Sequence, residues 1–177
     1  MARTNFLILF GSFTLFYVYQ LIFVVQGKLE FTNIKCEVID KKFCVFQHCF
    51  LKSVNRTYKY FSVHVHFLQP PVHSGSVNFV LYKRSNGLRP FLFNYTMDVC
   101  KFLDNRTNPA SQYFYSLVKD YTNVNHTCPY DHDVVNWWNK KLTISMPVPT
   151  GRYLLKTLWI SKGILRAEVF NYFTLTD

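Results

Sequence analysis

The stretch that most constrains this chain runs Ser85-Asn86-Gly87-Leu88-Arg89-Pro90-Phe91-Leu92-Phe93-Asn94-Tyr95-Thr96-Met97-Asp98-Val99-Cys100. It opens on Asn-Gly, the strongest short-range hairpin signal, and continues as an alternating strand. Phe91, Phe93, Tyr95, Met97 and Val99 fall on one face. Leu92, Asn94, Thr96 and Asp98 fall on the other, because successive side chains of a strand point to opposite sides. Asn94-Tyr95-Thr96 is a glycan acceptor, and a glycan cannot be buried, so the second face meets water. The aromatic face then meets a core or a cavity. Cys100 ends the strand and needs a partner. The stretch is expected to be a central strand, glycosylated outside and forming an inner wall.

Its hairpin partner is Ser76 to Lys83, with Val77, Phe79 and Leu81 on one face. A two-residue Asn86-Gly87 loop would set Phe91 and Phe93 beside Tyr82 and Val80. A three-residue loop including Leu88, with a bulge there, brings the two apolar sets together and is the expected arrangement.

The other segments repeat the pattern. Leu29 to Val38 is a strand, followed by the turn Asp40-Lys41-Lys42, and Phe43 to Val54 is a second strand. Tyr58 to Leu68 alternates most cleanly. It has Lys59, Phe61, Val63, Val65 and Phe67 on one face, and Tyr60, Ser62, His64 and His66 on the other. Val134 to Trp138, Leu142 to Met146, Gly151 to Ile160 and Ile164 to Leu175 read as further strands. One helix interrupts them. Asn108 is its N-cap, Pro109 stands at its first position, and Phe114, Leu117, Val118 and Tyr121 form one stripe ending near Thr122. About nine strands with short connections and one inserted amphipathic helix make an all-β, antiparallel β-sandwich.

Residues 1–27 read as a signal peptide. Arg3 precedes the apolar run Phe6 to Val25, and Val25-Gln26-Gly27 offers a cleavage site. The run is long enough to span a bilayer, so an uncleaved anchor is the alternative. Removing 27 of the 177 residues leaves 150, which is one domain, 28–177. Arg3 is the one charge removed, so the net charge of +10 falls to +9. In a secreted protein that charge favours anionic surfaces such as lipid head groups or acidic glycans, or it is plain basic solubility. Secretion, and Lys and Arg residues scattered along the chain, argue against nucleic acid. Four acceptors, Asn55, Asn94, Asn105 and Asn125, support secretion and glycosylation.

Five cysteines are present. In an oxidising compartment most pair, and one is left over. The expected bonds are Cys36–Cys49 and Cys100–Cys128, leaving Cys44. Spacing alone leaves Cys36–Cys44 open.

Enzyme motifs are absent. There is no Gly-x-Ser-x-Gly elbow, no glycine-rich phosphate loop and no telling pair of carboxylates. His126-Thr127-Cys128-Pro129-Tyr130-Asp131-His132-Asp133 has residues that suit zinc. A disulfide at Cys128 would remove its thiolate, and the acidic residues suit a turn. His64 and His66 share a strand face and are expected to point to solvent. No metal, cofactor or catalytic activity is expected.

Aromatic residues make up 19% of the chain. They either fill a packed core or line a cavity between the sheets. The expected lining is Phe61, Val63, Val65, Phe67, Phe79, Leu81, Phe91, Phe93, Tyr95, Phe114, Leu117 and Trp159, with the helix stripe as a lid. The function expected is binding of a lipid or other small apolar ligand. The alternative is an extracellular adaptor that binds another protein and has a packed core.

From Cys36 onward the chain resembles a large insect family of small secreted proteins, catalogued as domain of unknown function 1091. The resemblance rests on Phe31-Thr32-Asn33-Ile34-Lys35-Cys36-Glu37, Val63-His64-Val65 and the Ser85 to Asn94 run. It continues through Asp98-Val99-Cys100-Lys101-Phe102, Asn123 to Asp133 and Gly151-Arg152-Tyr153. The family has no established activity. It is more distantly similar to the ML-domain lipid-recognition and ganglioside-activator-like proteins. That likeness implies an immunoglobulin-like sandwich with lipid between its sheets, in a chemosensory or lipid-carrier role. Cys36, Cys49, Cys100 and Cys128 match the family's usual cysteines, and Cys44 departs from them.

Overall fold

The computed structural model describes residues 27–55, 58–138, 143–144 and 148–176. The expected signal peptide, and Arg56-Thr57 of the first glycan acceptor, lie outside them. Two antiparallel sheets carry the fold. The larger contains β1 (Gly27–Val38), β4 (Ser76–Ser85), β5 (Gly87–Asp98), β7 (Thr143–Ile144), β8 (Gly151–Ser161) and β9 (Ile164–Thr176), in the order β5-β4-β8-β9-β1-β7. The smaller contains β2 (Cys44–Asn55), β3 (Tyr58–Phe67) and β6 (Val134–Trp138), in the order β2-β3-β6. The all-β expectation holds. Of the expected strand Leu142 to Met146, only Thr143–Ile144 falls within the described residues.

The sheets face each other across the apolar rows read from the sequence. Phe61 and Val63 of β3 are buried, and Phe31 of β1 meets Phe61 edge to face at 4.9 Å. The Cys36–Cys49 disulfide ties β1 of one sheet to β2 of the other. Cys100–Cys128 is the second bond, and Cys44 is free and buried. The alternative Cys36–Cys44 pairing is not formed.

The opening hairpin corrects two expectations. Its strand β5 is an edge strand, not a central one. A glycan acceptor suits that place, because an unpaired edge is where other chains add and a bulky polar group blocks them. The bulge also lies elsewhere. Ser85 pairs with Gly87 directly across Asn86, and the register holds to Tyr82 opposite Pro90. It then shifts, so that Val80 faces Asn94 and Phe79 faces Tyr95. Leu81 therefore stands opposite Phe91, Leu92 and Phe93, with Leu92 in the left-handed region at φ 69°. The two extra residues preserve the alternation, so Phe79 and Tyr95 share a face as expected. The irregularity simply sits at Leu92 rather than at Leu88, because Gly87 accepts its φ of 103° at the turn without a bulge.

There are two helices rather than one. α1 (Val99–Asn105) follows β5 directly, with the Asp98 side chain accepting from Lys101 N at its start and Arg106 at φ 47° closing it. α2 (Pro109–Val118) starts at the expected cap, where Asn108 Oδ1 accepts from Ser111 N at 3.0 Å. It ends earlier than the stripe suggests, passing into a 3-10 turn over Lys119–Tyr121. The Cys100–Cys128 bond joins α1 to the loop after α2 and so braces the helical segment. Among the described residues, no helix is long and apolar enough to cross a membrane.

Candidate functional site

Between the two sheets lies an apolar cavity of about 260 Å³. One wall is the inner row of β3: Phe61, Val63, Val65 and Phe67. The facing wall combines Phe79 and Leu81 of β4, Phe93 of β5, Leu155, Thr157 and Trp159 of β8, and Val169 and Phe173 of β9. α2 covers one side with Phe114, Leu117 and Val118. Native interiors hold few voids larger than a water molecule, so a space of this size is a distinct feature.

Ten of the twelve residues expected to line a cavity do so: Phe61, Val63, Val65, Phe67, Phe79, Leu81, Phe93, Phe114, Leu117 and Trp159. Phe91 and Tyr95 do not. Phe91 lies beyond the bulge and packs on Tyr153, with Lys83 Nζ 5.5 Å over its ring. Tyr95 stacks on Phe114 at 5.2 Å, its hydroxyl donates to Asn108 Oδ1 at 3.2 Å, and it shares a second hydrogen bond with the Ser111 hydroxyl at 2.7 Å. It therefore docks the start of α2 instead of facing the void.

Phe114 is the keystone of that docking. Its ring stacks on Phe79 at 4.9 Å as well as on Tyr95, and meets Phe93 edge-on at 5.1 Å. Each such ring pair adds about 0.5–1.5 kcal/mol beyond area burial. The helix thus closes the cavity through one aromatic side chain.

Sequence reasoning missed several lining residues. Phe31, Phe43, Phe46, Val72, Met97, Tyr115, Tyr130 and Asn171 also face the cavity. Phe31 and Phe46 lie on strands that carry bulges, which break the phase that alternation depends on. Tyr130 and Val72 belong to no strand and meet through an isolated backbone bridge between loops. Tyr130 donates its hydroxyl to His126 O, and burial pushes its pKa up to about 12. Cys44 is a wall residue whose thiol burial pushes up, so it stays protonated and inert.

His64 and His66, expected to face solvent, are partly exposed and share a carboxylate partner. Asp133 takes hydrogen bonds from His64 Nε2 and His66 Nδ1, each at 2.8 Å. All three side chains are partly exposed on the outer face of the smaller sheet. Burial raises the Asp133 pKa, but the two histidine hydrogen bonds and their charge outweigh it, and the carboxyl lies below its ordinary value. His126 and His132 approach through their Nε2 atoms at 2.9 Å. Cys128 is in a disulfide. Among the described residues, no group of three or more His, Cys, Asp or Glu side chains is arranged to hold a metal ion.

The four glycan-acceptor asparagines, Asn55, Asn94, Asn105 and Asn125, are all exposed. Asn94 Oδ1 accepts from Asn78 Nδ2 at 2.7 Å across the β4–β5 ladder.

The β4–β5 hairpin, both helices and the first half of β8 fall within residues 77–155, which match the family model described as protein of unknown function, DUF1091. Over this stretch the chain is similar to the DUF1091 family. This is the family that the sequence resembles. No curated protein matches the chain. The matched segment supplies part of one wall, with Phe79, Leu81, Phe93 and Leu155, and the lid of the cavity. β3 and β9, which complete it, lie outside the matched residues.

Proposed function

We propose that this chain is a secreted glycoprotein that holds a lipid or other small apolar ligand between its two sheets, in a chemosensory or carrier role. The observation that carries the reading is the cavity of about 260 Å³ with almost wholly apolar walls. Its volume lies just below the range of ligand pockets, about 300–1,000 Å³. Two disulfides and four exposed acceptor asparagines support an oxidising, extracellular setting. The more distant likeness to ML-domain lipid-recognition proteins supports the same reading by analogy of fold. Binding is favoured over catalysis because Arg166 is the one charged side chain on the described walls, and it is tied to Asp40.

Native mass spectrometry of the protein expressed through a secretory pathway tests this. A guest mass that disappears on solvent extraction is the expected result. A bare protein that takes up no added lipid overturns it.

A second reading, an extracellular adaptor, draws on the outer face of the smaller sheet. There Phe50 and Trp137 flank Ser62 in register, at 40% and 46% exposure. Large exposed aromatics side by side suit a protein contact. Co-purification of one stoichiometric protein, lost in a Phe50→Ser, Trp137→Ser double variant, would establish it.

A further inference from the structure

The inner wall of β9 holds one polar side chain among apolar neighbours. Val169, Asn171 and Phe173 face the cavity in succession. In register, Asn171 lies between Ile34 of β1 and Leu155 of β8. Among the described residues, Asn171 Oδ1 is the one buried side-chain oxygen or nitrogen with no hydrogen-bond partner. A leucine here would fill the same wall without that penalty, and an unpaired buried acceptor calls for a physical explanation.

Four other polar side chains on the wall, Thr157, Ser161, Thr122 and Arg166, are already committed within the protein. Thr157 Oγ1 donates to Val169 O at 3.4 Å and accepts from Trp159 Nε1 at 3.2 Å. Ser161 donates to Ser74 O at 2.7 Å. Thr122 Oγ1 accepts from Val124 N at 3.2 Å. The guanidinium of Arg166 is bound to the Asp40 carboxylate and lies 4.3 Å over the Phe43 ring. Ser76 and Asn136 also line the cavity, Asn171 Oδ1 is the fully buried side-chain acceptor without a partner among the described residues, and the walls offer no free cation.

We infer that Asn171 is the polar anchor of this cavity, and that its occupant is a neutral amphiphile. The guest donates one hydroxyl or amide hydrogen to Asn171 Oδ1 and lays its hydrocarbon along the aromatic walls. A long-chain alcohol, a sterol or a fatty amide has this chemistry. An ionised fatty acid does not: its charge would be buried without a counter-ion, and its carboxylate has no hydrogen to give to Oδ1. This inference rests on the apolar-ligand reading above and adds the chemical class of the ligand.

The test uses the full chain, stripped of lipid, with displacement of an apolar fluorescent dye as the readout. The probes are dodecanol, its methyl ether and dodecanoate at neutral pH. The alcohol and the ether differ in the donor hydrogen. The ratio of their affinities is compared between wild type and Asn171→Leu, so that differences in probe solvation cancel. The alcohol-to-ether ratio is expected to fall about tenfold in the variant, the effect of one buried hydrogen bond. Ether binding is expected to persist or improve, and dodecanoate to be the weakest probe for wild type. Should Asn171→Leu fail to fold, Asn171→Val gives the same comparison with a strand-favouring side chain.

An unchanged ratio overturns the anchor while leaving the apolar cavity intact as a binding site. Dodecanoate binding as tightly as dodecanol overturns the requirement for a neutral guest. Failure of every probe to displace the dye overturns both this inference and the reading it rests on.

Discussion

Val63→Phe should stabilise the lipid-free protein and abolish its ligand binding. Val63 is 4% exposed, lies in the middle of β3 and lines the cavity. An empty apolar cavity weakens a fold by about 24 cal/mol per Å³. For 260 Å³ that is about 6 kcal/mol, a large part of the roughly 5–15 kcal/mol by which a domain is stable. Phenylalanine carries four more side-chain carbons than valine. At about 0.8 kcal/mol for each newly buried carbon they contribute about 3 kcal/mol if they enter open space. For a domain of this size that raises the melting temperature by roughly 6–12 °C. In a fully packed interior the same substitution has the opposite sign, with overpacking costing about 1–3 kcal/mol. Thermal unfolding of delipidated wild type and variant, with dye displacement on both, measures the two effects together. A variant that melts lower and still binds dye refutes the reasoning, because it means that the space at Val63 is not available.

Four further outcomes follow from the geometry. Phe114→Ala removes the ring stacked between Phe79 and Tyr95, so it should destabilise by about 2–4 kcal/mol and speed ligand release in stopped-flow measurements. Asn108→Ala removes the cap of α2 and the acceptor for Tyr95, and a loss of about 1–2 kcal/mol in denaturant unfolding is expected. Replacing Cys100 and Cys128 by serine opens a loop spanning 28 positions. The chain-entropy relation gives a loss of about 3.5 kcal/mol, read as a lower urea midpoint. Asp133 has a lowered carboxyl pKa in the folded protein, so the folded state binds its proton less readily than the unfolded chain. Its contribution is full above the unfolded value near 3.9 and is lost as pH falls through the folded one. Wild type and Asp133→Asn should therefore differ in stability at neutral pH and converge as pH falls through the lowered folded-state value in a pH series of unfolding midpoints.

How much of this was legible from the sequence differs from residue to residue. The inward rows of β3 and β4 were legible, since an alternation of period two needs no tertiary knowledge to assign its faces. Asn108 and Pro109 announced α2 because capping is local chemistry. α1 was missed although Asp98 is a good N-cap, because seven residues carry too little periodicity to outweigh the strand that runs into them. Tyr95 was placed correctly on the inner face but wrongly in the cavity wall. Facing inward is a property of the strand, whereas facing a void depends on Phe114 arriving from α2 to cover the ring. Asn171 was invisible as a site residue: in a list of strand residues an asparagine is one more polar side chain. Only the sheet order puts Ile34 and Leu155 at its flanks and leaves its oxygen unpartnered.

The sequence by itself determined local and periodic matters: which residues alternate, where the α2 cap falls, and which asparagines stand in glycan-acceptor motifs. It also narrowed the cysteine pairing, because an odd count in an oxidising setting leaves one thiol over. Tertiary structure alone decided that Gly87–Asp98 is an edge strand, that its irregularity lies at Leu92, and that the apolar rows stand far enough apart to enclose a cavity. The reason is physical. Period and capping depend on neighbours along the chain, within a few residues. Sheet order and the gap between sheets depend on how side chains that lie far apart in sequence fill the space between them.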